Sequence, residues 1–514
     1  MKCRGSITVF AALSLLLVAS FLFALLEGAR VQGLNVCADF VSEVGLNSLC
    51  AEYQSPLWEK YRLLFFDGAC GTEHFSEERI NSILCQRISE NLDVAQGTGV
   101  SLYSLSMQSA EIAEYQLASD GEGSVFLQCV AAYMKHNLAK EAIESLYEKY
   151  EEGKEVGQKD TSKYSVEGAE QAIEDAKKAQ EEAAASENTG ATENADTGEN
   201  TGAAENPETE GAGETPVTEP VENPLEVVKK LKENLIIGLT VENPSEISAK
   251  QLNLQESMSK RKLKKGTMAV KGKVGLYDRI LVGEYLEKYF SSYRKPGEDK
   301  ALSYELEYLL CGKDSDQSNL EGTINRMMLL REGANIICIT MDSKKMNQAE
   351  TIARAIAAAV AQPELAVIIQ CGIVAAWAYV ESLLDLRTLL DGGKIALVKS
   401  SEQWTANTEN LAEALENNGK AISCENGMAY EEYIKLFLYE LGEKKLAYRM
   451  MDVMEQSLRQ NPGYEYARMD HMICELSGSM QYQASALFAG LSLFQGGAPR
   501  RFYFEKEKYF SYKK

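Results

Sequence analysis

Three histidines, His74, His136 and His471, are the first places to look for proton transfer or metal binding. A zinc or acid–base centre would need a second His, Cys or carboxylate at ligand spacing from one of them. None has such a neighbour, so each reads as a solvent-facing or internally satisfied side chain. The stretch "KDSDQSN" at 313–319 sets Asp314, Asp316 and Ser318 in the D-x-D-x-S order of a calcium loop. Its sixth position is Asn319 instead of Gly and its twelfth is Asn325 instead of an acid. A capped loop ahead of a helix explains it better. Eleven cysteines include no CxxC pair and fall mostly in apolar helical patterns, as small buried side chains do. No phosphate-binding Gly loop, nucleophile elbow or dinucleotide fingerprint is present. The expectation is therefore of no catalytic residue, no cofactor and no metal.

The elements that carry these residues begin with "GSITVFAALSLLLVASFLFALLEGARV". Ser6 to Leu26 holds no charge, and at about 1.5 Å per residue it spans roughly 31 Å, the depth of a bilayer core. A cleaved secretion signal would have a shorter apolar run and a small-x-small site after it, which Leu26-Glu27-Gly28-Ala29-Arg30 does not supply. A retained anchor follows, with Ile7, Phe10, Leu16, Phe21 and Leu26 in lipid. Lys2 and Arg4 ahead of the run set the amino terminus in the cytoplasm and the bulk of the chain outside the cell, a single-pass topology at the cell membrane. Val31, Leu34, Ala38, Val41 and Gly45 continue the helical spacing beyond the membrane as a stem.

The net charge of −23 over 514 residues excludes a nucleic-acid binder, which needs a basic face to displace counterions. Part of that charge is local. Residues 187–222 hold ten acidic residues and no Lys or Arg among Gly, Thr, Asn, Ala and Pro, a composition too poor in apolar area to fold. The organisation expected is a leader at 1–5, transmembrane and stem helix at 6–50, an ectodomain segment at 51–150, an acidic helix and linker at 151–224, and a main domain at 225–514. The fold class expected is α+β, mostly helical, with a small antiparallel sheet near the C-terminus, where the first half of "YARMDHMICELSGSMQYQASALF" (466–488) and "RRFYFEKEKYFSY" alternate. Other expected elements are an aromatic-rich helix ending near Asp67, a helix over 76–92, a strand in 102–117, and an exposed helix over 166–185. A strand is expected at the end of "PLEVVKKLKENLIIGLTV" and another at "KIALV". Further helices are expected at 280–294, 301–311, 318–332 capped by Ser318, 347–361 capped at Asn347, 401–417, 429–441 and 443–459. "LAVIIQCGIVAAWAYVESLLDL" is either a buried core helix or a second span. The basic "SKRKLKKG" at 259–266 reads as a solvated loop, with contact to anionic lipid or wall polymer as the alternative.

Several segments together resemble one known family. "AEYQSPLWEKYRLLFFDG", "QLASDGEGSVFLQCVAAYMK", "LEYLLCGKDSDQSNLEGTINRMMLLREGAN", "AAWAYVESLLDLRTLLDGGKIALVKSSEQW" and "YEEYIKLFLYELGEKKLAYRMMDVME", with the anchor, are similar to Gram-positive membrane proteins grouped as domain of unknown function 5702. That family looks related to the TadE/TadG-type minor pilins of the tight-adherence (Tad) pilus. The resemblance implies a structural or accessory role in a Tad, type IV-related pilus, with the bilayer and other pilin-like subunits as partners. Arg4-Gly5-Ser6 resembles the junction cut by prepilin peptidases, with Gly5 and Ser6 flanking the cut. Pilins carry Glu at the fifth mature position, and Phe10 stands there in this chain. The alternative left open is a membrane-anchored binding or sensory module for wall polymer or ligand.

Overall fold

The computed structural model describes residues 4–96, 102–135, 151, 154–155, 158–188, 223–408, 411–488 and 500–513. Its first element is one unbroken helix, α1 (Arg4–Cys50). The absence of proline before Pro56 lets the apolar run continue straight into the stem. From Glu27 onward the helix buries every third or fourth residue, among them Leu34, Ala38, Val41, Leu46 and Leu49. Between Ile7 and Leu26 it buries nothing. Thirteen large apolar side chains between Ile7 and Leu26 stand 40% or more exposed. At about 25 cal/mol per Å² of apolar surface, keeping them in water costs more than ~10 kcal/mol, as much as a domain's whole stability. That half of the rod suits lipid.

The stem half packs on a sheet. After α2 (Ser55–Tyr61), β1 (Phe66–Asp67) and α3 (Glu77–Gln96) comes β2 (Ser106–Leu117), and the chain ends in β3 (Met472–Ser485) and β4 (Arg501–Ser511). β3 is central. It pairs antiparallel with β2, from Ser106↔Gln483 to Leu117↔Ile473, and on its other edge with β4, from Glu475↔Ser511 to Ser485↔Arg501. β1 adds a short pairing at Phe66↔Ile473. One face of this sheet closes on α1 and α3 through Leu84, Ile88, Leu476, Met480, Tyr482 and Phe504. Gly45 is the close-approach point: a Cβ there would meet Ile88 Cγ1 at 2.5 Å, so α3 can lie against the stem only with Gly.

The remaining helices form a second core: α4 (Ser124–Lys135), α5 (Val166–Asn188), α6 (Pro224–Lys232), α7 (Ile236–Thr240), α8 (Leu276–Tyr289), α9 (Glu305–Cys311), α10 (Asp316–Met341), α11 (Ser343–Ala359), α12 (Ala366–Leu390), α13 (Leu411–Leu415), α14 (Tyr430–Glu440) and α15 (Glu443–Arg459). α12 is its axis, with α5, α6, α10 and α11 packed around it. The choice between span and core helix resolves here. The most apolar stretch of this helix is 78% buried, and beyond its first turn it has no face left for lipid.

The mostly helical α+β class and the C-terminal sheet stand as expected, as do the strand in 102–117 and the helices near 76–92, 429–441 and 443–459. Several local expectations do not. The aromatic helix ends at Tyr61, because Arg62 turns left-handed (φ 56°) and its N–H closes on Trp58 O, freeing Phe66 and Asp67 to join β3. The strand expected after α6 is the helical turn α7, with Val241 N–H bonded to Ile237 O. "KIALV" makes one bridge, Ile395↔Met428. The helix expected over 401–417 is broken at 404–406, where the amides of Thr405 and Ala406 donate to Glu381 instead of to the chain's own carbonyls. The helices expected over 280–294 and 301–311 end at Tyr289 and begin at Glu305. The caps lie upstream of the expected ones: Ser315 caps α10 and Asp342 caps α11. α5 is exposed on one side only, since Val166, Ala169, Ile173 and Ala176 are buried against α12. Residues 189–222 of the acidic stretch lie outside the described residues.

Candidate functional site

The feature most unlike an ordinary globular surface is where α1 leaves its bare half and enters the fold. The first charged residues after the apolar run, Glu27 and Arg30, are both buried and pair at 2.8 Å. Arg30 donates through Nε to Leu102 O (2.6 Å) and through Nη2 to Ser485 O (3.0 Å). Glu27 accepts from the amides of Phe488 (2.7 Å) and Leu487 (3.3 Å). Two opposite charges one helical turn apart thus fasten the loop before β2 and the end of β3 to the rod. Lone burial of either charge would be costly, and the pairing with four backbone groups offsets it. Phe23 stacks on Phe488 at 6.1 Å just below.

Of the anchor residues expected in lipid, Ile7, Phe10, Leu16, Phe21 and Leu26 all project from the bare half, 48–73% exposed. Gly5 and Ser6 lie in the first turn of α1.

The sequence-flagged chemistry disperses. His74 is exposed. His471 is buried, Nδ1 without a hydrogen-bond partner, and burial pushes its pKa down to about 4, so it is neutral. His136 lies outside the described residues. Asp316, far from ligating a cation, accepts the amides of Ser303 (2.9 Å) and Tyr304 (3.1 Å), while Ser315 Oγ accepts from the Ser318 amide at 3.3 Å. Among the described residues no three His, Cys or acidic side chains gather as metal ligands. Their ten cysteines are all free thiols. The basic 259–266 segment is more than a solvated loop: Arg261 bridges Glu455 and Asp470, and Lys264 caps the Phe75 ring at 4.7 Å. It straps α15 to the start of β3.

Sequence reasoning missed a buried ionic network in the helical body. Arg331 on α10 donates through Nε to Asp385 Oδ2 (2.9 Å) and through Nη1 to the carbonyls of Ala396 and Leu397 (2.8 Å each). Lys399 bridges Asp385 (2.5 Å) and Glu381. Burial opposes the Arg331 charge, but Asp385 outweighs it and raises the guanidinium pKa. Burial drives Glu381 the other way for a carboxyl, upward, against the pull of Lys399. The signal was in the sequence: Glu381 and Asp385 sit four apart in an otherwise apolar helix, a placement that requires cationic partners. All four side chains are sealed from solvent, so the network binds α10, α12 and the 395–406 loop together and meets no substrate. An open cleft of about 350 Å³ lies nearby, with Glu242, Glu246, Arg294, Arg387 and Lys420 on its walls. Arg387 is committed to the carbonyls of Leu239, Leu415 and Gly419, and Lys420 to Asp391.

An apolar amino-terminal rod able to anchor in a membrane, seated on an antiparallel sheet and attached to a helical body, defines the class of protein. The chain belongs to a family of unknown function, DUF5702, which matches residues 214–484, more than half of it. That match covers the body from before α6 to β3. No curated protein and no solved structure matches the chain.

Proposed function

We propose that this protein is a single-pass, membrane-anchored, pilin-like structural or accessory subunit of a Tad-type pilus or surface-adhesion system, with its amino terminus in the cytoplasm and its mass outside. One observation carries the reading: a 47-residue helix, bare and apolar in its first half, packs its second half on an antiparallel sheet. That division lets one rod sit in the membrane and pass laterally into a bundle of like rods, its head held rigidly at the surface. In this reading the chain's work is assembly, not catalysis, and its partners are the bilayer and other pilin-like subunits. The fold-level analogy to pilins supports it, as does the Gly5-Ser6 junction.

The test is mass spectrometry of the amino terminus after expression with and without a prepilin peptidase. The expected product begins at Ser6 only when the peptidase is present. A chain that keeps Met1 or Lys2 in both cases is a plain anchor and sinks the pilin-like reading. A second reading, a membrane-anchored module that binds wall polymer or a small ligand, is favoured by the mixed-charge cleft beside Arg294 and Glu242.

A further inference from the structure

We propose that the end of the sheet nearest the anchor is a lipid-contacting collar, so that the head rests on the bilayer's interfacial zone instead of standing clear of it. The inference rests on the anchor reading of α1. Its argument begins with distance. Ser6 to Leu26 accounts for about 31 Å of hydrocarbon, which puts Glu27 at the core's outer boundary. The interfacial layer beyond it is roughly 5–7 Å deep, about four residues of helix, and that depth brings the chain to Arg30.

Two segments remote in sequence converge on α1 at this level, and each presents exposed apolar side chains. Leu102 and Tyr103 precede β2 and are 51% and 46% exposed, Leu487 follows β3 at 43%, and one turn below them Phe23 projects from α1 at 40%. They are held there by Arg30, which binds Leu102 O, and by Glu27, which binds the Leu487 and Phe488 amides. Gly33 lets the Tyr103 ring lie on the rod; a Cβ at that position would meet Tyr103 Cε1 at 2.2 Å. Arg500 enters the same end of the sheet through the bond from Ala486 N to Arg500 O (2.8 Å), and it is exposed like its neighbour Arg501.

The occupant is argued from continuity and chemistry. The patch runs unbroken from the bare half of α1 through the Phe23–Phe488 stack. Aromatic, leucine and arginine side chains at one level are the set that suits headgroups over the first acyl carbons, and arginine adds attraction to anionic lipid. A soluble partner protein would meet this surface only by displacing headgroups around the rod.

Tryptophan scanning in liposomes containing phosphatidylglycerol tests it, with the full-length chain and lipids brominated either near the headgroup or deep in the acyl chains. Trp58, Trp377 and Trp404 form a constant background that the parent protein subtracts. Leu487→Trp and Leu102→Trp, both at exposed positions, are expected to lose emission to shallow bromines and to resist aqueous iodide. Leu16→Trp is the control for the anchor and is expected to lose emission to deep bromines. If Leu16→Trp is quenched while the two collar tryptophans answer only to iodide, the collar is wrong and the anchor stands. If the collar tryptophans are shielded from both quenchers, protein covers the surface and the proposal falls. If Leu16→Trp escapes lipid quenching, the anchor reading fails and takes the collar with it.

Discussion

Both cores are organised around one long apolar helix, α12 in the body and α1 in the stem, and each helix is apolar and long enough to cross a bilayer. Their surroundings differ completely. α12 is enclosed by four helices and carries Glu381 and Asp385 inward, where Arg331 and Lys399 neutralise them. Among its described side chains α1 buries charge only at Glu27 and Arg30, where it stops being bare, and between Ile7 and Leu26 it buries no side chain. Apolar length alone therefore does not identify a span. The position of the acids does: in α12 they lie within the helix and demand an internal partner, whereas in α1 they mark the end of a charge-free run.

That contrast can be broken, most severely in the body. Arg331→Leu leaves Asp385 facing Lys399 with its second neighbour gone, and loss of one member of a buried ionic set costs about 3–5 kcal/mol. Hydrogen exchange should show α10 and α12 losing protection while β3 keeps its own. Equal loss in both would mean that the two cores unfold as one.

The body should also be the pH-sensitive part. Glu307 on α9 is buried, with Oε1 accepting from Tyr293 N and Tyr430 OH (2.8 Å each) and Oε2 unpartnered, and burial pushes its pKa up to about 7. A carboxyl whose folded value is raised favours the native state when protonated. Its contribution is complete below the ordinary carboxyl value and is lost as pH rises toward 7, on the order of 3 kcal/mol in all. Glu307→Gln should flatten the difference in unfolding free energy between pH 5 and pH 8. His471, pushed down to about 4, slopes the opposite way and is untouched by that substitution, so comparison with the parent isolates Glu307. An unchanged slope in the variant refutes the assignment.

For the rod, Leu16→Asp places a carboxylate at mid-span, worth about 2.5–3.5 kcal/mol against insertion. The protein is expected to shift from the membrane to the soluble or misrouted fraction. Full retention would mean that lipid is not the surrounding of this segment. The smallest effect belongs to the surface ions of the stem. Lys508 and Asp39 pair at 3.0 Å between β4 and α1, the lysine partly covered and the carboxylate half open to water, so Lys508→Ala should cost about 1 kcal/mol or less in denaturant unfolding. A cost matching that of Arg331→Leu would erase the distinction between the two cores.

Much of this was readable from residues in order. The charge-free run, the period of Leu34, Ala38 and Val41, and the alternation of β2 and β4 are local signals, and local structure follows them. Pairing was not readable: β2 and β3 lie more than 350 residues apart, and nothing in either names the other. The 401–417 helix failed because tertiary contact overrode propensity, with Glu381 capturing the Thr405 and Ala406 amides. The two caps were misplaced because Ser315 and Asp342 precede the helical pattern, whereas Ser318 and Asn347 lie within it. The Glu27–Arg30 clasp has only a faint trace, an acid and a base three apart after an apolar run. Its backbone partners come from residues 102 and 485–488, which no spacing rule could supply.

The order of the strands imposes a schedule on biosynthesis. The stem is finished at residue 50, but β3 and β4, which cover it, follow more than 400 residues later. At ~5–20 residues per second, some 20–90 s separate the rod's emergence from that of its cover. For that interval the apolar flank of the stem that the two strands later cover stands open.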